Sequence, residues 1–413
     1  MFKETLLENN STLEITGISV DKYIQYFSNL WKHTGNEFPD FKTSYSKKEK
    51  QKCEKDVEKF FSVVKKEAQK NKGLENWNEE FVKKCSSAIH AFMRDRLSFH
   101  ENDLEALFNK NFIKVSSEFI KKAHAFDSRL GEAEIFQALR NVWTMNWVQL
   151  ILNMPIELTP SVFAYSLLYP YTDNYLDDPG ISSKSKMEFN SCLSKRLTGV
   201  SIEPENKHEQ IVYDLIGMIE IQFPRGSNPQ VYESLLAIHS AQIKSLLLLN
   251  SNTNIEDDDL LNISIEKGGT SVLADGYLIA GNLTEEQKRF LFGYGAYLQL
   301  VDDMQDAISD RQNGFNTIFS NQNKCSYLES IANQLFHFGN LVLDDCYSLE
   351  IINADSIINL MKRTNELLII NSVGVTKDCY SPDFSRQMEI YSPFSFPFLQ
   401  QKQNNYFQLG IMV

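Results

Sequence analysis

Apolar residues recur along this chain at helical spacing nearly from end to end, and strand-like alternation is scarce. Eleven prolines and 18 glycines in 413 residues leave long uninterrupted segments. A Lys- and Glu-rich stretch from about 46 to 72 sets Val57, Phe60, Phe61 and Val64 at helical intervals, which predicts a surface helix or helical hairpin. From about 80 onward the pattern is that of an all-α core. Ile135 to Leu152 is strongly apolar, carries Trp143 and Trp147, and predicts a central helix. Pro155 and Pro160 flank a turn before the apolar run Ser161–Tyr169. Turn residues make Phe223–Pro229 a loop, and polar residues do the same for 250–259. Val231–Leu249, Leu260–Ala280 and Thr284–Ser309 read as helices, the last opened by a capping box from Thr284 to Gln287. The adjacent pair Gly268-Gly269 predicts a break or kink inside its helix. We find no internal repeat. The expected organisation is a partly polar helical extension at 1–75 and a helical domain at 76–413.

Two acidic clusters interrupt this apolar pattern. Asp302, Asp303, Asp306 and Asp310 put four carboxylates into nine residues, directly after apolar and aromatic positions. On a helix, 302, 306 and 310 share a face and 303 lies beside them. Like charges at i,i+4 destabilise an isolated helix by roughly 0.2–0.5 kcal/mol per pair. No basic residue lies inside the cluster; Arg311 follows it. A hard divalent cation such as Mg2+ is the natural source of the missing positive charge. The second cluster is Asp173-Asn174-Tyr175-Leu176-Asp177-Asp178, again at the end of an apolar run and closed by Pro179 and Gly180. Packed side by side, the two acidic faces could share metal ions.

Composition narrows the function classes. Hydrophobic residues are 42% and charged residues 23%, ordinary for a globular protein, and the length suffices for a large core. A formal charge of -13 argues against a nucleic-acid binder and against docking on anionic lipid. The first residues lack the apolar core of a signal peptide, and no uncharged apolar run reaches the roughly 18 residues of a membrane span. Cys53, Cys85, Cys192, Cys325, Cys346 and Cys379 are scattered without paired spacing. Reduced thiols, and a cytoplasmic location, are the expectation.

One further pattern points to a family. Lys267-Gly268-Gly269-Thr270 is followed by Gly281-Asn282-Leu283-Thr284, and then by Gln299-Leu300-Val301-Asp302-Asp303-Met304-Gln305-Asp306. Asp310, Gly314 and Thr317 come next in the same order. Together, over 266–320, these residues resemble the trans-polyprenyl diphosphate synthases, with a shorter echo at 173–178. The resemblance implies the class I isoprenoid synthase fold, a helical bundle around a central apolar pocket, commonly a homodimer. It implies two acidic motifs facing each other at the pocket mouth, three Mg2+ ions bound with the substrate diphosphate, and a prenyl diphosphate as substrate.

Carried over residue by residue, Asp302 and Asp306 are the ligands of the second motif. Asp303 fits as a partner behind them, and Asp310 stands where a third ligand would fall. Asp173 and Asp177 are the ligands of the first motif, with Asp178 beside them. Lys267 matches the lysine that contacts diphosphate, Gln299 a pocket-facing glutamine, and Thr270 and Asn174 further substrate contacts.

The chain departs from the family in two places. Asn174 replaces the second Asp of the first motif, and no arginine pair follows. No Gly-Lys-x-x-Arg segment for isopentenyl diphosphate precedes residue 173; Arg94, Arg96, Arg129 and Arg140 are isolated. The expected activity is therefore terpene synthase-like: one prenyl diphosphate is ionised and its cation cyclised or quenched. A chain-elongating synthase using isopentenyl diphosphate is the alternative, and a non-catalytic subunit that keeps the fold is a second. The aromatic segment after Arg386, with Tyr391, is a candidate cover for the pocket.

Overall fold

In a computed structural model the chain is described over residues 18–71, 79–107, 110–178, 180–248, 256–321 and 328–406. The described residues form helices and no strand. They are α1 (Asp21–His33), α2 (Lys47–Asn71), α3 (Glu79–Leu97), α4 (Glu101–Leu107), α5 (Lys110–Phe126), α6 (Glu132–Ile151), α7 (Pro160–Asp177), α8 (Ser183–Leu197) and α9 (Lys207–Gln222). After them come α10 (Pro229–Ser245), α11 (Asp257–Ala280), α12 (Glu285–Gln305), α13 (Ala307–Asn313), α14 (Glu329–Asp344), α15 (Ala354–Val375), α16 (Pro382–Glu389) and α17 (Phe396–Tyr406). Among the described residues no helix is long and apolar enough to cross a membrane.

Helix ends follow local chemistry. Thr159 accepts a hydrogen bond from the Val162 amide, and Pro160 occupies the first turn of α7, where its missing N–H costs nothing. Thr284 and Gln287 form the reciprocal capping box that opens α12. Gly281 closes α11 at φ 71°, and Gly314 closes α13 at φ 77° in the left-handed region.

The α11–α12 pair is the centre of the molecule. The expected break at Gly268-Gly269 does not occur: α11 runs unbroken from Asp257 to Ala280. The glycines serve approach instead. A methyl group on Gly268 would strike the Gly295 carbonyl of α12, and one on Gly295 would strike the Gly268 carbonyl. The continuous helix expected over 284–309 divides at Asp306, where α12 hands over to α13. Helical bonding nevertheless continues across the join, from the Asp306 amide to the Asp302 carbonyl at 2.9 Å and from the Asp310 amide to the Asp306 carbonyl at 2.8 Å. The 302, 306, 310 spacing is therefore kept.

Aromatic residues lock the outer helices to this pair. Phe290 and Phe292 of α12 are fully buried, each contributing about 1.5–3 kcal/mol of transfer free energy. Tyr23 of α1 stacks on Phe292 at 5.4 Å, and Trp31 meets Phe338 of α14 edge-on at 5.4 Å. The boundary expected at 75 lies outside the described residues. At the C-terminal end, Phe394, Phe396 and Leu399 are buried in the core. Tyr391 packs on Phe41 at 5.2 Å, and Arg386 pairs with Asp383 on the surface.

Candidate active site

Helix α7 carries Tyr165, Tyr169 and Asp173 at i, i+4 and i+8, on one ridge. The Tyr169 phenol is hydrogen-bonded to Asp173 and also feels the charge of Asp302 on α12. Burial first, then these two carboxylates, hold its pKa far above the usual phenol range. Tyr169 thus touches Asp173 of the first motif and lies within electrostatic range of Asp302 of the second. Gln242 of α10 donates to Asp173 Oδ1 at 3.4 Å.

The second motif forms one electrostatic cluster. Water reaches Asp302 and Asp306 freely, and Asp310 in part. Surrounding protein nevertheless desolvates all three. Burial pushes Asp302 up, and Lys267 and Arg140 oppose it. Burial, then repulsion from Asp302 and Asp303, lifts Asp306 to about 6. Burial, then repulsion from Asp303, Asp306 and Asp302, lifts Asp310 to about 7. Asp303 is 6% exposed and lies behind the other three, where burial lifts it to about 6. It accepts from Ser264 Oγ at 2.6 Å and from Gln299 Nε2 at 2.8 Å.

Two cations on other helices act on this cluster: Lys267 on α11 and Arg140 on α6. Neither makes an ion pair among the described residues. Both lower the carboxylate pKa values without closing a salt bridge, so their charge remains open to an anionic ligand.

The other expected residues are placed as follows. Asn174 is exposed and donates to Gln137 of α6 at 3.2 Å. Asp178 is exposed and accepts from the Gly180 amide at 2.7 Å, a turn-capping role. Asp177 ends α7, and its side chain lies outside the described residues. Gln299 is engaged with Asp303 rather than directed at a ligand. Thr270 is 1% exposed, and its hydroxyl is spent on the Glu266 carbonyl at 2.7 Å, so it is not brought to the cluster. Sequence reading did not single out Tyr169 and Gln242, and it weighed Arg140 only as an isolated candidate for a different ligand. The available signal was register: Tyr169 lies one turn before Asp173, and Arg140 one turn before Trp143 and Thr144 on an apolar helix.

Among the described residues no three carboxylate, imidazole or thiol groups sit close enough to cage one ion. Mg2+ rarely uses such a cage; it is typically held by one or two carboxylates, waters and substrate phosphates. Desolvated, mutually repelling carboxylates next to unpaired cations fit that mode of binding. The carboxylates would take the metal, and the cations the phosphate.

A cavity of about 1020 Å³ lies between α2, α3, α6, α12 and α15, and no residue of the acidic cluster lines it. Its lining includes Leu298 and Trp143, one turn from Asp302 and from Arg140 respectively. Neither a scan of protein-family models nor a search of curated proteins finds a match to the chain.

Proposed function

We propose that the protein ionises a linear prenyl diphosphate in a Mg2+-dependent reaction at the paired acidic motifs, giving a terpene or prenyl product. The observation that carries this reading is the position of Tyr169, in contact with Asp173 and within the field of Asp302, a carboxylate on which Lys267 and Arg140 also act. The class I isoprenoid synthase fold belongs to the same proposal; the all-helical architecture around an apolar cavity is compatible with it.

Asp173, Asp302 and Asp306 would hold the metal, with Asp177 as the first motif's other ligand and Asp310 at the edge of the second. When bound, Mg2+ would supply Lewis-acid charge to the departing diphosphate. Asp303, fixed by Ser264 and Gln299, orients the end of α12 from behind. Lys267 and Arg140 bind the diphosphate oxygens and take up charge as the C–O bond breaks. The indole rings of Trp143 and Trp147 line the cavity between α2, α3, α6, α12 and α15, where they would exclude water and attract a cation through their faces.

The test is product analysis with Mg2+ and geranyl, farnesyl or geranylgeranyl diphosphate, each with and without isopentenyl diphosphate. A hydrocarbon or alcohol from the allylic substrate alone is expected. Products lengthened only when isopentenyl diphosphate is present would replace this reading with chain elongation. Asp302→Ala and Asp173→Ala should each lower diphosphate release by about 10²-fold or more. Unchanged release in both variants would sink the proposal.

A further inference from the structure

Helix α2 carries a basic stripe on a chain of the opposite sign. Its 25 residues hold nine lysines against five acidic residues, in a chain whose formal charge is -13. Lys48, Lys52, Lys55, Lys59 and Lys66 recur at i, i+4, i+7, i+11 and i+18, so they fall on one face. These lysines are exposed, and none forms an ion pair among the described residues. The stripe runs for about 27 Å, at about 1.5 Å per residue.

The neighbouring acidic groups are turned to other partners. Glu49 accepts from Ser46 Oγ at 2.6 Å, and Glu54 from Ser395 Oγ at 2.6 Å. Asp56 pairs with Arg96 of α3 at 2.8 Å, and Glu58 with Lys402 of α17 at 3.0 Å. On α3, Glu80 pairs with Lys84 at 2.8 Å and Asp95 with Arg94 at 2.7 Å. Within the stripe, Lys52 acts on Glu49 without closing an ion pair.

The stripe also borders the cavity between α2, α3, α6, α12 and α15. Lys59 and Val63 of α2 are exposed and line that cavity, as do Lys84 and Ala88 of α3. The cavity therefore reaches the surface beside the lysines. Val63 is 50% exposed on the same face, between Lys59 and Lys66, and Phe60 is half-buried next to it.

Charge and apolar rim together select the partner. The net charge of -13 argues against attraction of the whole chain to anionic lipid. At about 0.1 M salt, however, the screening length is about 10 Å, so a docked surface feels mainly the charges nearest to it. A nucleic acid or an acidic protein would match the lysines and leave the apolar rim in water. A bilayer offers anionic headgroups to the lysines and acyl carbon to Val63, Phe60 and Ala88 in one surface. We propose that this edge of α2 and α3 docks the protein on an anionic lipid bilayer, with the lysines among the headgroups and the cavity mouth toward the acyl chains. This docking is independent of the reaction proposed above.

The test is co-sedimentation of the full chain with vesicles of phosphatidylcholine, alone and with one third phosphatidylserine. Binding is expected to the anionic vesicles only, and raising salt from about 0.1 M to 1 M should abolish it as the screening length falls to about 3 Å. Each lysine at the surface contributes about five-fold in affinity. The triple variant Lys52→Gln, Lys55→Gln, Lys59→Gln should therefore bind about 100-fold more weakly. Lys184→Gln, Lys195→Gln, Lys207→Gln removes the same charge from exposed positions on α8 and α9 and should stay within about two-fold of wild type. Lys55→Gln alone, expected at about five-fold, keeps the test if the triple variant does not fold. Equal binding to both vesicle types, or equal losses in the two triple variants, would overturn the proposal. So would vesicles left unbound at low salt while duplex DNA is bound or while a salt-sensitive dimer forms, which would give the stripe to a nucleic acid or to a second copy of the chain.

Discussion

Asp275 shows what burial does to one carboxyl in this core. It is 1% exposed, and its Oδ1 has no hydrogen-bond partner among the described residues. Burial drives its pKa well above the carboxylate range, and a hydrogen bond from Asn141 only partly opposes the shift. The folded chain therefore keeps a proton that the unfolded chain releases near pH 4. Stability from this group is full below that point and declines as pH rises toward the folded pKa. Asp275→Asn removes the titration. Its stability relative to wild type should be near zero at pH 4 and should grow by about 1.4 kcal/mol per pH unit above it. Urea midpoints across pH 4–8 measure this, and a gain independent of pH would refute the ionisation account. Asp275 was not legible in the sequence: nothing in Val272-Leu273-Ala274-Asp275 tells which neighbours enclose it. Asp302 and Asp306 were legible, because repeated carboxylates after an apolar run conflict with local physics. Thr270 and Gln299 were assigned by motif position. Their hydroxyl and amide turn instead to the Glu266 carbonyl and to Asp303, a choice that depends on packing.

At the scale of elements, the two glycine-bearing helices explain both what periodicity revealed and where it stopped. The apolar spacing and the Thr284 capping box located α11 and α12 closely. Gly268-Gly269 was read as a kink because a glycine pair lowers helix propensity, and the sequence does not say that Gly295 lies opposite. Contact between the two backbones compensates for that propensity. Gly268→Ala should therefore force α11 and α12 apart, at a cost of about 1–3 kcal/mol, and more if the pair cannot relax. Gly217 of α9 has open space around the position of a Cβ. Gly217→Ala should gain up to about 1 kcal/mol through helix propensity alone. The pair of variants, followed by thermal unfolding, checks the argument; similar effects at both positions would refute close approach as the reason for Gly268. The site depends on the same contact, since Lys267 and Asp302 lie on these two helices.

At the scale of the whole molecule, the acidic cluster would couple stability to the metal and diphosphate proposed for it. Asp303 and Asp306 are lifted to about 6 and Asp310 to about 7, all first by burial, so each favours its protonated form in the fold. The fold binds more protons than the unfolded chain from about pH 4 to 7, and stability falls as pH rises through that window. Neutralising the cluster by another route should restore what is lost. Mg2+ with inorganic diphosphate, binding only the folded chain, would add about 2.7 kcal/mol at a hundred times its Kd. The rise in Tm should be larger at pH 8 than at pH 5, because protons compete with metal for the same oxygens. The double variant Asp302→Asn, Asp306→Asn should raise the Tm measured in EDTA, since two repelling charges are gone, and should abolish the gain from Mg2+ and diphosphate. A double variant that loses stability in EDTA would show that these carboxylates hold the fold together rather than await a cation. A gain from Mg2+ that survives it would move the metal site elsewhere. Opposite signs for the same substitutions, with and without metal, are what a binding site predicts and a structural acidic face does not.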